Sequence, residues 1–134
     1  MGANNADFHG IIFSHKTAPK IFAEWNKVGT PILPTDEVEI EAHHPDTGKK
    51  VGWMSLSPAA YPGKSQIGHT IINVSVDPKF RRQGIATGML NYAKQQGLTI
   101  FHSTLRTREG TLWARSTEDE VPGANRKNWP GSVY

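Results

Sequence analysis

The chain has 134 residues, 37% hydrophobic and 20% charged, a composition that supports one globular domain with a real core and excludes a disordered chain. It has no cysteine, which excludes disulfides, thiolate metal sites and a cysteine nucleophile. The net charge of +3 is unevenly spread: residues 1–78 hold six Lys and Arg against eight Asp and Glu, whereas residues 79–134 hold nine against four. The basic half invites a polyanion, and charge alone leaves a phosphorylated cofactor and a nucleic acid equally open. No apolar run approaches the ~18 residues of a bilayer span. The polar opening Met1 to Asp7 lacks the apolar stretch of a signal peptide, so the expected setting is cytoplasmic, without membrane contact.

In chain order, residues 1–7 are small and polar and are expected to be flexible. Phe8 to Phe13 reads as a first strand. Thr17 suits a helix N-cap and Pro19 its first turn, and Ile21, Phe22, Trp25 and Val28 then fall on one face before Gly29 ends the helix, which predicts a buried face anchored by Trp25. Pro31 and Pro34 mark a loop. Val38 to Ala42 and Val51 to Leu56 read as strands joined by the turn His43-His44-Pro45-Asp46-Thr47-Gly48. The adjacent histidines face opposite ways in extended chain, so a solvated hairpin tip accounts for them better than a metal site, and no metal is expected. Ser57 to Gly68 is polar and rich in Pro and Gly, a connection suited to a mobile lip over a substrate.

The stretch Val74 to Gly97 organises the rest. Ile71, Ile72, Val74 and Val76 give a β-branched strand, Asp77-Pro78 stops it, Lys79 to Gln83 form a basic loop, and helical periodicity follows from Gly84 until Gly97. If Gly84 to Thr87 form the first helical turn, their N–H groups lack helical partners and meet the positive end of the macrodipole. Gly84 permits close backbone approach, Ala86 keeps the way clear, and Arg81 and Arg82 supply donors suited to phosphate oxygens. A pyrophosphate fits that description. Leu98 to His102 then reads as a short buried strand, and Thr107 as the cap of a last helix that buries Leu112 and Trp113. The segment from Val121 onward is loop-like, so a single domain over 8–120 with a tail over 121–134 is expected.

Arg81-x-x-Gly84-x-Ala86, preceded by Val76-x-Pro78 and followed by an amphipathic helix, resembles the acyl-CoA-binding motif of the GNAT superfamily of N-acetyltransferases. The resemblance runs over Ile72 to Gly97 and implies an α/β fold with a mixed sheet, here C-terminally shortened: residues 118–134 offer no clear pair of closing strands for the acceptor site, so the chain is either a shortened member or one that completes its site as a homodimer. It further implies an acetyl-CoA-dependent enzyme that moves an acetyl group to a primary amine. Val74, Ser75 and Val76 would pair with the pantetheine arm, and Arg81, Arg82, Gln83, Gly84, Ile85, Ala86 and Thr87 would wrap the pyrophosphate. The thioester would sit where Thr70 to Val76 and Leu98 to His102 splay apart. Many members protonate the leaving thiolate with a tyrosine of the last helix, but residues 108–117 contain none.

Near that splay stand His69 and Thr70, and His102 and Ser103. His102 is the preferred proton carrier, since imidazole changes charge near neutral pH, although a hydrogen-bonded strand-end histidine fits as well. Ser103 suits a donor to the sulfur or simply begins a turn, and His69 completes the catalytic candidates. His102-Ser103, Arg106-Thr107, Gly110 and Trp113-Ala114 resemble the C-terminal part of small GNAT-like bacteriophage proteins. That likeness keeps open a nucleic-acid base modifier of the phage Mom type, and the missing tyrosine keeps open a module that holds coenzyme A or a partner without chemistry.

Overall fold

The computed structural model describes residues 10–60, 67–81 and 83–102. Among them are five strands and one α-helix: β1 (Ile12–Ala18), β2 (Glu37–His43), β3 (Lys50–Ala60), β4 (Ile67–Val76), α1 (Ile85–Gln95) and β5 (Ile100–His102). A 3-10 turn, Pro78–Phe80, stands between β4 and α1. The strands form one sheet in the order β1-β2-β3-β4-β5. The first four are antiparallel neighbours, and β5 returns through α1 to lie parallel to β4. This is the mixed α/β sheet that the sequence implies.

Alternation decides which face carries the core. In β2, Val38, Ile40 and Ala42 are buried on the side that α1 covers, opposite Leu56, Met54 and Gly52 of β3. From α1, Ile85, Met89, Leu90 and Ala93 pack onto that surface. Gly52 lies directly under the helix: a Cβ there would stand 3.2 Å from Ser75 O and in van der Waals contact, 3.4 Å, with both Ile85 Cγ2 and Met89 Cε. Glu37, Glu39 and Glu41 alternate onto the other face.

Three expectations are corrected. The first strand runs over Ile12–Ala18 rather than ending at Phe13, because Thr17 and Ala18 pair with Val38 and Glu37. The helix expected from Thr17 to Val28 does not form. The outer edge of β1 would otherwise be bare, and the connecting segment satisfies it: Asn26 N–H donates to Thr17 O at 2.7 Å and Gly29 N–H to His15 O at 3.0 Å. The hydroxyl that was to cap the helix instead accepts from Asn26 Nδ2 at 2.8 Å, and Phe22 takes a left-handed φ of 66° that no helix tolerates. Ile21, Phe22, Trp25 and Val28 are therefore exposed, not core, with Phe22 fully in solvent. Third, the described residues of the connection read over Ser57 to Gly68, 57–60 and 67–68, are sheet, since Ser57↔Thr70 through Ala60↔Ile67 extend the β3–β4 ladder.

Elsewhere the reading holds within a residue or two. α1 stops where expected, its last turn closed by Gly97 N–H to Lys94 O at 3.0 Å. Ser103 to Thr107, the last helix and the tail lie outside the described residues. No helix among the described residues is long and apolar enough to cross a membrane.

Candidate functional site

The site is built at the end of β4. Asp77 N–H makes the last bond of the β3–β4 ladder, to Val51 O at 2.8 Å, and the Asp77 carboxylate then accepts from Lys79 N–H at 3.0 Å, capping the 3-10 turn. Phe80 leaves that turn edge-on to the His44 ring, with centroids 5.9 Å apart. Arg81 resumes an extended backbone and folds its Nε onto Val76 O at 3.1 Å, so the loop is tied back to the strand it left. Arg81 is exposed, and its other guanidinium N–H groups have no partner among the described residues.

Gly84 is the N-cap of α1, with φ 79° and ψ 14°. A side chain is strained in that conformation, and glycine enters it freely. A glycine cap brings no oxygen to the helix start, and the first turn carries no acidic residue. The first helical bond is Gly88 N–H to Gly84 O at 2.8 Å, so the N–H groups of Ile85 and Ala86 have no acceptor within the helix. An uncapped positive pole favours an anion, and the several acceptor oxygens of a diphosphate suit such a helix start.

The strand edge leading there is half open. Because Asp77 and Val51 form a hydrogen-bonded pair, the antiparallel alternation turns the Ser75 amide and carbonyl toward β3, and those of Val74 and Val76 toward the β5 side. Pairing with β5 covers only His69, Thr70 and Ile71, opposite Ile100, Phe101 and His102. Beyond them Val74 has no partner on that side among the described residues, whereas Val76 O is taken by Arg81. The ladder with β3 also slips here: Ser55 faces Asn73 but Leu56 faces Ile71, which leaves Ile72 as a bulge.

Residues 10–116 match the model of the acetyltransferase (GNAT) family, which is most of the chain. The chain belongs to the GNAT acetyltransferase family. Neither the curated proteins nor the solved structures give a match. As a GNAT acetyltransferase it is an enzyme of acetyl-CoA-dependent N-acetyl transfer, in a family that typically draws its acetyl group from acetyl-CoA.

Other site expectations of this GNAT chain fall out unevenly. His69 and His102 lie at opposite ends of the β4–β5 ladder, opposite Ile100 and Ile71. His69 is 2% exposed, and its Nε2 donates to the backbone carbonyl of Asp36 at 2.8 Å, which places a proton on Nε2 and ties β4 to the segment before β2. His102 ends β5. Arg82 and Ser103 lie outside the described residues, as do the phage-like residues from Arg106 onward. Among the described residues no cluster of His, Asp and Glu could hold a metal ion.

Two groupings escaped sequence reasoning. His15 is buried between α1 and the β1–β2 connection: Nε2 donates to Thr30 O at 2.9 Å, so Nδ1 accepts from the Tyr92 hydroxyl at 2.8 Å. Burial pushes the Tyr92 phenol up from its ordinary pKa. Nothing local signals a pair 77 positions apart. On the sheet face away from α1, Glu41 sits 3.3 Å from Lys16 Nζ, 3.6 Å from Lys50 Nζ and 3.4 Å from His43 Nε2. Glu39 lies 3.7 Å from Lys50 Nζ. Burial, and then the hydrogen bond and charge of Glu41, raise the Glu39 carboxyl to about 7. Burial acts upward on Glu41 too, but the hydrogen bond from Glu39 and the two lysines outweigh it and hold Glu41 below its ordinary value. The alternation of Glu37, Glu39 and Glu41 was the available signal that this face is polar.

Proposed function

We propose that the amides opening α1 hold the pyrophosphate of acetyl-CoA, and that this chain transfers the acetyl group to a primary amine. The observation that carries the reading is the glycine-capped, acid-free first turn of α1, with Arg81 beside it, placed directly after a strand whose outer edge is open at Val74. Arg81, Arg82, Gln83, Gly84, Ile85, Ala86 and Thr87 form the pyrophosphate seat. Val74 and Val76, with Ser75 between them, line the pantetheine path, and Val74 contributes the backbone groups that an added strand would use.

Acetyl-CoA supplies an acetyl group activated as a thioester. The chain's part is to orient the amine against that carbonyl carbon, to accept the proton that the amine nitrogen loses as the C–N bond forms, and to protonate the sulfur as the C–S bond breaks. His102, at the end of the β4–β5 ladder, is the proposed proton carrier, and Ser103 the proposed donor to sulfur. Burial of His69 and its bond to Asp36 support a positioning role for that residue, holding the start of β4 against the segment that precedes β2. A phosphate-loop reading fits the basic half of the sequence without nucleic acid, and no described feature favours a base modifier over it.

Calorimetry with acetyl-CoA, followed by thiol release across a panel of primary amines, tests the reading. Saturable binding with amine-dependent release of one thiol per acetyl group is expected. Binding without release from any amine would leave a coenzyme A module, and no binding would remove the proposal.

A further inference from the structure

We propose that Lys49, at the tip of the β2–β3 hairpin, holds the 3′-phosphate of coenzyme A, an inference that rests on the cofactor reading above. The hairpin is a wall of the phosphate loop rather than a distant turn. His44 packs on Phe80 of the 3-10 turn, and Asp77, which caps that turn, pairs its backbone with Val51 just past the hairpin. The tip is held in shape by Gly48 N–H to His44 O at 2.9 Å, His44 N–H to Lys49 O at 2.8 Å and Lys49 N–H to Thr47 Oγ1 at 3.2 Å. The backbone that carries Lys49 is thus fixed against the loop, and only its side chain is free to adjust.

That side chain is held only by a long ion pair. Its ammonium stands 3.8 Å from Asp77 Oδ2, beyond hydrogen-bond length, and is 67% exposed. Asp77 does not depend on it, because its other oxygen already accepts from Lys79 N–H. The direction of the cofactor brings a phosphate there. Asp77 joins the end of β4 to the 3-10 turn that leads to α1, and Lys49 lies against it, so a nucleotide phosphate that leaves the diphosphate seat over that turn comes within reach of the Lys49 ammonium. Lys49, Lys79 and Arg81 belong to that corner, where Asp77 is the carboxylate that Lys49 faces. A phosphate monoester offers a dianion to a flexible ammonium with three free donors, a stronger match than that single carboxylate.

Calorimetry with coenzyme A and with 3′-dephospho-coenzyme A tests this, using the wild type, Lys49→Ala, Lys49→Glu and, as a control for net charge, Lys27→Ala in the exposed β1–β2 connection. The wild type is expected to prefer coenzyme A by about five- to tenfold, the scale of one exposed charge-assisted contact to a dianion. Lys49→Ala should remove that preference by weakening coenzyme A alone, Lys49→Glu should weaken it further, and Lys27→Ala should keep the wild-type preference. Equal loss for both nucleotides in the Lys49 variants, no loss, or a wild type that does not discriminate would overturn the assignment while leaving the pyrophosphate seat standing. A wild type that binds neither nucleotide would overturn the seat and Lys49 together.

Discussion

Ala86→Glu separates the anion seat from the stability of the helix that forms it. Ala86 is the second residue of α1, its amide lacks an acceptor within the helix, and the first turn has no acid of its own. A carboxylate there meets the positive end of the helix and should stabilise folding by about 0.5 kcal/mol. That raises the melting temperature of a domain this size by about 1–3 °C. The separation of that carboxylate from a diphosphate held at the helix start is taken as about 5 Å, close to one turn of helix. With an effective dielectric near 40, between that of protein surface and water, each like-charge pair costs about 1.7 kcal/mol, or about 3 kcal/mol for two phosphate charges. Coenzyme A affinity should fall on the order of 100-fold. Ala86→Gln, of similar shape and without the charge, should lose only about threefold. Calorimetry gives the affinities and a thermal melt the stability. An Ala86→Glu protein with a raised melting temperature and coenzyme A affinity within about threefold of wild type would refute the reasoning.

Two further outcomes follow from the sheet. A Cβ at Gly68 would stand 2.6 Å from Thr99 O, so Gly68→Ala must push β5 from β4, and denaturant unfolding should show a loss of about 2–3 kcal/mol. The Glu39 carboxyl is raised from 4.5 to about 7 in the fold, with Glu41, Lys16 and Lys50 facing it. The folded state then holds a proton that the unfolded chain releases earlier, so this stability is present below about pH 4.5 and is lost as pH rises through about 7. Solvent screening of a half-buried group reduces the effect to about 1 kcal/mol between pH 5 and pH 8. Glu39→Gln should flatten that difference in urea titrations, and an unchanged slope would contradict the shift.

Where the deciding information was local, it was legible. The Val38, Ile40, Ala42 alternation gave β2, and Asp77-Pro78, Gly84 and Gly97 marked the loop and both ends of α1, because chain-stopping chemistry acts on its own residues. The strand, turn and helix start on which the proposed anion seat rests could be read for the same reason: they are contiguous. What failed was decided across the sheet. The spacing of Ile21, Phe22, Trp25 and Val28 suits a helix face, but the bare carbonyls of His15 and Thr17 drew Asn26 and Gly29 into line with β1. Ser57 to Ala60 look like loop until Ile67 to Thr70 are there to pair with them. The His15–Tyr92 bond and the Lys49–Asp77 contact join residues far apart in the chain, and no pattern of residue types announces either.

The central claim is that the backbone amides beginning α1 grip a diphosphate. Titration of isotope-labelled protein with coenzyme A, followed by amide resonances, addresses those atoms directly. The account predicts that the Gly84, Ile85 and Ala86 signals move furthest and saturate together, with downfield proton shifts as their N–H groups gain acceptors. Saturable binding that leaves these three amides in place while signals elsewhere move would contradict it.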